Sequence, residues 1–95
     1  MQYKKVKWGA EKNEILKKER GIGFELIETL IEEGKEIDII TNSNYPHQRI
    51  FIFEIDEYIV SAPAVETETD IFLKTLLRSR KLNKKYRGNP DEIKN

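Results

Sequence analysis

Two hydrophobic periods divide the 95-residue chain into a helical opening and a β-rich remainder. Val6 and Trp8 alternate with Lys5 and Lys7, which predicts a short opening strand or extended arm. From Ala10 to Arg20 the residues are good helix formers. Ile15 and Leu16 are the only strong apolar side chains there, so this helix has a narrow buried stripe and a wide charged face. Gly21 supplies the left-handed residue that commonly follows a helix. Phe24, Ile27 and Ile31, flanked by Leu26 and Leu30, then recur at helical spacing between Gly23 and Glu33. Glu25, Glu28, Glu32 and Glu33 take the outer face, and Gly34 stops the second helix.

After that point the pattern becomes that of strands. Ile37 to Thr41 predicts one, Asn42 to Pro46 a turn-rich loop, and Arg49 to Ile55 a β-branched and aromatic strand. Asp56-Glu57 joins it to Tyr58 to Ala62 as a tight hairpin. This sets Ile55 opposite Tyr58, Phe53 opposite Val60 and Phe51 opposite Ala62, on one face with Arg49 and His47. Pro63, which has no N–H, is expected to mark the end of pairing or an edge. An acidic loop from Glu66 to Asp70 precedes another strand, Ile71 to Leu77. Ser79 then caps a short basic helix whose Leu82 and Tyr86 pack inward. The expected fold is α+β: two N-terminal helices packed on a three- to four-stranded antiparallel sheet, with a short basic C-terminal helix. Residues 1–88 form a single domain and 89–95 a frayed tail.

The chain has no cysteine, which excludes disulfides, thiolate metal sites, iron–sulfur clusters and a cysteine nucleophile. No stretch approaches the ~20 apolar residues of a membrane helix, and the first residues lack the apolar run of a signal peptide. A cytoplasmic protein without membrane contact is expected. The 17 basic and 17 acidic residues cancel, yet their distribution is uneven. Residues 1–20 carry a net charge of +4, residues 21–73 carry −10 and residues 74–95 carry +6. If the two basic ends meet, they form one positive surface on an acidic body, the footprint of phosphate binding; otherwise they are solvated tails.

The densest candidate for chemistry is Lys74 with Arg78, Arg80 and Lys81, followed by Lys84 and Lys85. On an unbroken strand Lys74 and Arg78 share a side. Paired arginines offer bidentate donors that hold a phosphate and stabilise the charge that develops during phosphodiester cleavage. The same residues also read as a solvated strand end. His47 is the only side chain that ordinarily titrates near neutrality, and Arg49 lies two residues on. It is a candidate general acid or base, or else a loop residue without a role. Glu54 and Tyr58 flank the hairpin and are further acid–base candidates. Lys5, Lys7, Arg49, Lys74, Lys84 and Lys85 are candidate RNA contacts. Trp8, near the basic start, is a candidate for base stacking, with core packing as its other reading. One histidine and no cysteine predict no metal site, and Gly21-Ile22-Gly23 lacks the later residues of a nucleotide loop. No cofactor is expected.

Val6-Lys7-Trp8, Glu11-Lys12-Asn13, the run from Lys18 to Glu25, and Ser79-Arg80-Lys81 with Tyr86 together resemble the BrnT family of bacterial toxins across residues 6–86. Trp8, Lys12, Asn13, Gly21, Phe24, Arg80, Lys81 and Tyr86 match that family's pattern by position. Gly9, Arg20 and Gly23 stand where the family has Asp, His and Ser. The resemblance implies a RelE-like core and an endoribonuclease toxin of a type II toxin–antitoxin module. It would act on mRNA without metal through attack of the ribose 2′-hydroxyl on the adjacent phosphate. Arg78 and Arg80 would hold the phosphate, Lys81, Lys74 or Lys5 would add charge, and His47, Glu54 or a lysine would take the proton. The implied partners are RNA and a cognate antitoxin of ribbon-helix-helix type, with a higher-order toxin–antitoxin complex among the implied assemblies. The alternative is a non-catalytic nucleic-acid-binding or protein-interaction module.

Overall fold

A computed structural model describes residues 4–41 and 43–87, which form an α+β fold with three helices and six strands. β1 (Lys5–Trp8) leads into α1 (Ala10–Arg20) and α2 (Phe24–Glu32). There follow β2 (Asp38–Thr41), β3 (Gln48–Ile55), β4 (Tyr58–Glu66), β5 (Asp70–Leu73), β6 (Leu77–Arg78) and α3 (Arg80–Arg87). The expected tail 89–95, Gly88 and the first three residues lie outside the described residues. Among the described residues no helix is long and apolar enough to cross a membrane.

The strands form one mixed sheet in the order β1-β5-β4-β3-β2, with β6 beside β4. This corrects the expected three- to four-stranded antiparallel sheet in two ways. First, the opening segment is a sheet edge: β1 runs parallel to β5, with Lys5 opposite Asp70 and Trp8 opposite Leu73. Neither four-residue segment carries a signal that names its partner. Second, the expected strand from Ile71 to Leu77 is broken. Ala64 faces Leu73 while Ser61 faces Leu77, so the β5–β6 side holds one residue more than β4, the count of a β-bulge.

Pro63 explains the position of the break. The end of pairing or an edge is expected there; β4 runs through it to Glu66 with Ile50 opposite on β3, while its other side lies between the Ala64–Leu73 and Ser61–Leu77 pairs. In an antiparallel strand the N–H and C=O of one residue point to the same side. The Pro63 carbonyl accepts the Lys74 N–H at 2.8 Å. Its missing donor therefore points into the gap between β5 and β6, where the bulge removes the need for one. The hairpin register agrees with expectation at all three predicted pairs. Asp56 and Glu57 make the turn with φ of +53° and +64°, the left-handed region that two-residue hairpins require and that usually attracts Asn and Gly.

On one face of the sheet, Phe51, Phe53, Val60, Ala62 and Leu73 pack against Leu16, Phe24 and Ile27 of the two N-terminal helices. The turn between those helices is built by Asn13, Gly21 and Gly23. Gly21 takes φ +70° and returns its N–H to the Lys17 carbonyl at 3.0 Å. Asn13, 4% exposed, accepts the Phe24 N–H at 2.7 Å and donates to Glu25 at 2.8 Å, so it satisfies the start of α2 from outside that helix. A side chain at Gly23 would collide with Glu25 and come within 2.9 Å of Asn13 Oδ1. Trp8 packs on Phe24 with ring centroids 5.9 Å apart, which favours its core reading over stacking.

The opposite face is only partly covered. Ile52 and Ile59 are fully buried there without belonging to the helix-side core. Their cover is α3. Its Asn83 accepts the Ile59 N–H at 3.0 Å, and its Tyr86 hydroxyl donates to Asp38 on β2, which lies opposite Ile52. Ser79 Oγ accepts the Leu82 N–H at 3.1 Å, the expected cap. Leu82 and Tyr86 are both half-buried.

Candidate functional site

The bulge decides where Arg78 goes. On a continuous strand Lys74 and Arg78 would share a face, but one extra residue inverts the alternation for everything beyond it. Leu76 turns into the core, and Arg78 sits opposite Val60 on the helix-bearing face. There its guanidinium stands 5.6 Å from the centroid of the Tyr58 ring, within the range of a cation–π contact. Arg78 also shares a slot with Arg20, the last residue of α1, over a floor of Ile22, Val60 and Leu76. The slot has about 10 Å³ of free room, close to the minimum for one water. The slot is too small to enclose a ligand, so Arg20 and Arg78 can meet one only at the surface.

Arg20 was not among the sequence candidates for the site. It ends α1 and lines the slot together with Leu77 and Arg78 of β6.

Lys5 and Lys7 point away from Arg78. Val6 and Trp8 pack toward the helix-side core, so the two lysines alternate onto the open face, where Lys7 lies opposite Phe72. Lys7 reaches Asp70 at 3.3 Å, and Lys74 stays on this face with its ammonium 5.4 Å from the Phe72 ring centroid. The exposed Arg80, Lys81, Lys84 and Lys85 belong to α3, which packs on the same open face. The two basic ends thus do not make one groove. Arg78 joins Arg20 on one side of the sheet, and the remaining cations gather on the other.

The other candidates are dispersed. Arg49 is half-buried, paired with Glu66 at 3.1 Å and bonded to the carbonyls of Pro46 and Gln48, which gives it a structural task. His47 is exposed in the loop before β3. Six residues separate it from Phe53, which lies opposite Val60, so it stands about 20 Å from the Arg78 position at ~3.4 Å per residue. Glu54 lies opposite Ile59, on the face away from Arg78. Of the acid–base candidates, Tyr58 is the one placed beside Arg78.

Two hydrogen-bonded pairs carry shifted acidities. The Tyr86 hydroxyl, with help from the Ile39 N–H, holds the Asp38 carboxyl below its ordinary range, and Asp38 in turn raises the Tyr86 phenol. Lys17, 2.9 Å from Glu25, lowers that carboxyl together with backbone and Asn13 donors, and Glu25 raises Lys17. Neither pair touches the arginine slot. No protein-family model, curated protein or solved structure gives a significant match to this chain.

Proposed function

We propose that this protein is a metal-independent endoribonuclease, the toxin of a type II toxin–antitoxin module with a RelE-like, BrnT-related fold. The observation that carries the reading is the meeting of Arg20 and Arg78 at one slot beside Tyr58. Two arginines side by side would supply the charge and the bidentate donors that a phosphodiester takes. The ribose 2′-hydroxyl attacks the adjacent phosphorus and gives up its proton. The bond from phosphorus to the 5′ oxygen breaks, and that oxygen takes a proton, leaving a cyclic phosphate and a 5′-hydroxyl. In this reading Arg20 and Arg78 stabilise the charge that builds on the phosphoryl oxygens. The Tyr58 hydroxyl is the nearest candidate for proton transfer.

The partner in this reading is a basic antitoxin segment. Glu25 is already held by Lys17 and Glu33 by Lys35, so steering rests on Glu28, Glu32 and Glu36. Association that weakens as salt rises is expected.

The test is cleavage of single-stranded RNA by the purified protein in EDTA. Arg20→Ala and Arg78→Ala are each expected to slow it by roughly 100-fold, the scale of losing one donor to a developing oxyanion. An unchanged rate in both slot variants, or cleavage only with an added divalent metal, rejects the mechanism. The separation of His47 and Glu54 from Arg78 favours a second reading, a nucleic-acid-binding module without turnover. In that case RNA stays intact in a salt-dependent complex.

A further inference from the structure

The open face of the sheet carries a row of side chains that the arginine slot does not use. Lys7 on β1 lies opposite Phe72 on β5, Phe72 opposite Val65 on β4, and Val65 opposite Gln48 on β3. Directly opposed residues project from the same face, so these four form one line across four strands. At ~4.8 Å per strand the line is about 14 Å long, comparable to about four stacked nucleotides at ~3.4 Å each.

Its two ends have the chemistry of unpaired bases and phosphates. At the β1 end Phe72 is 39% exposed, unusual for a phenylalanine in the middle of a strand, and the Lys74 ammonium lies over one face of its ring. Lys5 lies on the same face and makes no ion pair among the described residues, while Lys7 keeps half of its side chain exposed beside Asp70. At the β3 end the row runs into a cleft of about 260 Å³ lined by Tyr45, Pro46, His47 and Val65. Tyr45 is 59% exposed. Aromatic rings set among cations bind single strands, because every base offers a stacking face and every linkage a negative charge. The exposed lysines of α3 lie on this side of the sheet, which extends the positive surface beyond the row.

We infer that the open face is a stacking track for single-stranded nucleic acid, with Phe72 and Tyr45 as its platforms and Lys5, Lys7 and Lys74 as its phosphate contacts. The inference deepens the proposed function by giving it a substrate-binding surface, and it rests on that reading only for the choice of RNA as the polymer. It also gives a use to the lysines that the bulge separates from Arg78.

The experiment is fluorescence anisotropy with a short labelled single strand carrying 2′-O-methyl riboses, which cannot be cleaved by 2′-hydroxyl attack. Single-stranded DNA of the same sequence and the matching RNA duplex are the comparison arms. The two single strands are expected to bind and the duplex to bind at least tenfold more weakly. Phe72→Ala and Phe72→Leu are each expected to weaken single-strand binding by about tenfold, and Phe72→Tyr to preserve it. Lys7→Ala with Lys74→Ala is expected to flatten the salt dependence. Circular dichroism checks the fold of every variant, and Phe72→Leu retains the apolar bulk if alanine does not fold. Failure of the wild-type protein to bind single strands, equal affinity for the duplex, or full affinity in Phe72→Leu overturns the track. Loss of binding in Phe72→Leu, with RNA cleavage untouched by Arg20→Ala and Arg78→Ala, would uphold the track and reject the proposed catalytic site.

Discussion

The two faces of the sheet are built from the same strands and have different tasks. The helix-bearing face is a finished apolar core. Phe24, Ile27, Phe53 and Val60 are at most 1% exposed, and the start of α2 is satisfied by a buried Asn13. The open face is covered over one part by α3 and elsewhere shows Phe72, Leu77 and lysines to solvent. Cations near one another in the sequence therefore need not act together. Lys74 and Arg78 are four residues apart, and a single bulged residue sends them to opposite sides.

This contrast can be broken or sharpened by measurement. The largest expected difference is in stability. Phe24→Ala removes a fully buried ring and is expected to cost about 3–5 kcal/mol, a large share of the ~5–15 kcal/mol of a typical domain. Phe72→Ala on the open face is expected to change stability by no more than ~0.5 kcal/mol while weakening nucleic-acid binding. Urea titration of both proteins reads the contrast directly, and equal losses would show that the open face is also structural. A smaller effect is expected at Asn13. Its replacement by Ala leaves the buried Phe24 N–H unpaired, for about 1–3 kcal/mol by the same titration. A silent variant would mean that the turn between the N-terminal helices tolerates an unpaired donor.

The smallest effect concerns α3, the only helix on the open face among the described residues. Asp38 is depressed in the folded state. Its contribution is complete above the ordinary Asp value of 3.8 and is lost as pH falls through the lower folded value. Tyr86 is raised, so its contribution is complete below 10.0 and is lost as pH climbs through the higher folded value. Docking of α3 should thus be constant between these limits and weaken at both extremes, as read by amide exchange at Asn83 or by the intensity of Tyr86 ring signals. Tyr86→Phe is expected to remove the alkaline limb and to leave a reduced acid limb, because the Ile39 N–H still holds Asp38. An unchanged acid limb would separate the Tyr86 contact from the docking of the helix.

Much of the local structure could be read from residue order alone. The limits of α1 follow from its helix formers and Gly21, α2 from the spacing of Phe24, Ile27 and Ile31, and the hairpin register from the alternation around Asp56-Glu57. Ser79 announces α3. These features depend on neighbours within one turn or one hairpin, and short-range periodicity and capping chemistry report such neighbours. The pairing of β1 with β5, the passage of β4 through Pro63 and the meeting of Arg20 with Arg78 depend on partners far apart in the chain. The bulge opposite Pro63 is where the two levels join. A proline without a donor is visible in the sequence, but only its position between two partner strands makes the extra residue tolerable, and that residue decides on which face Arg78 emerges.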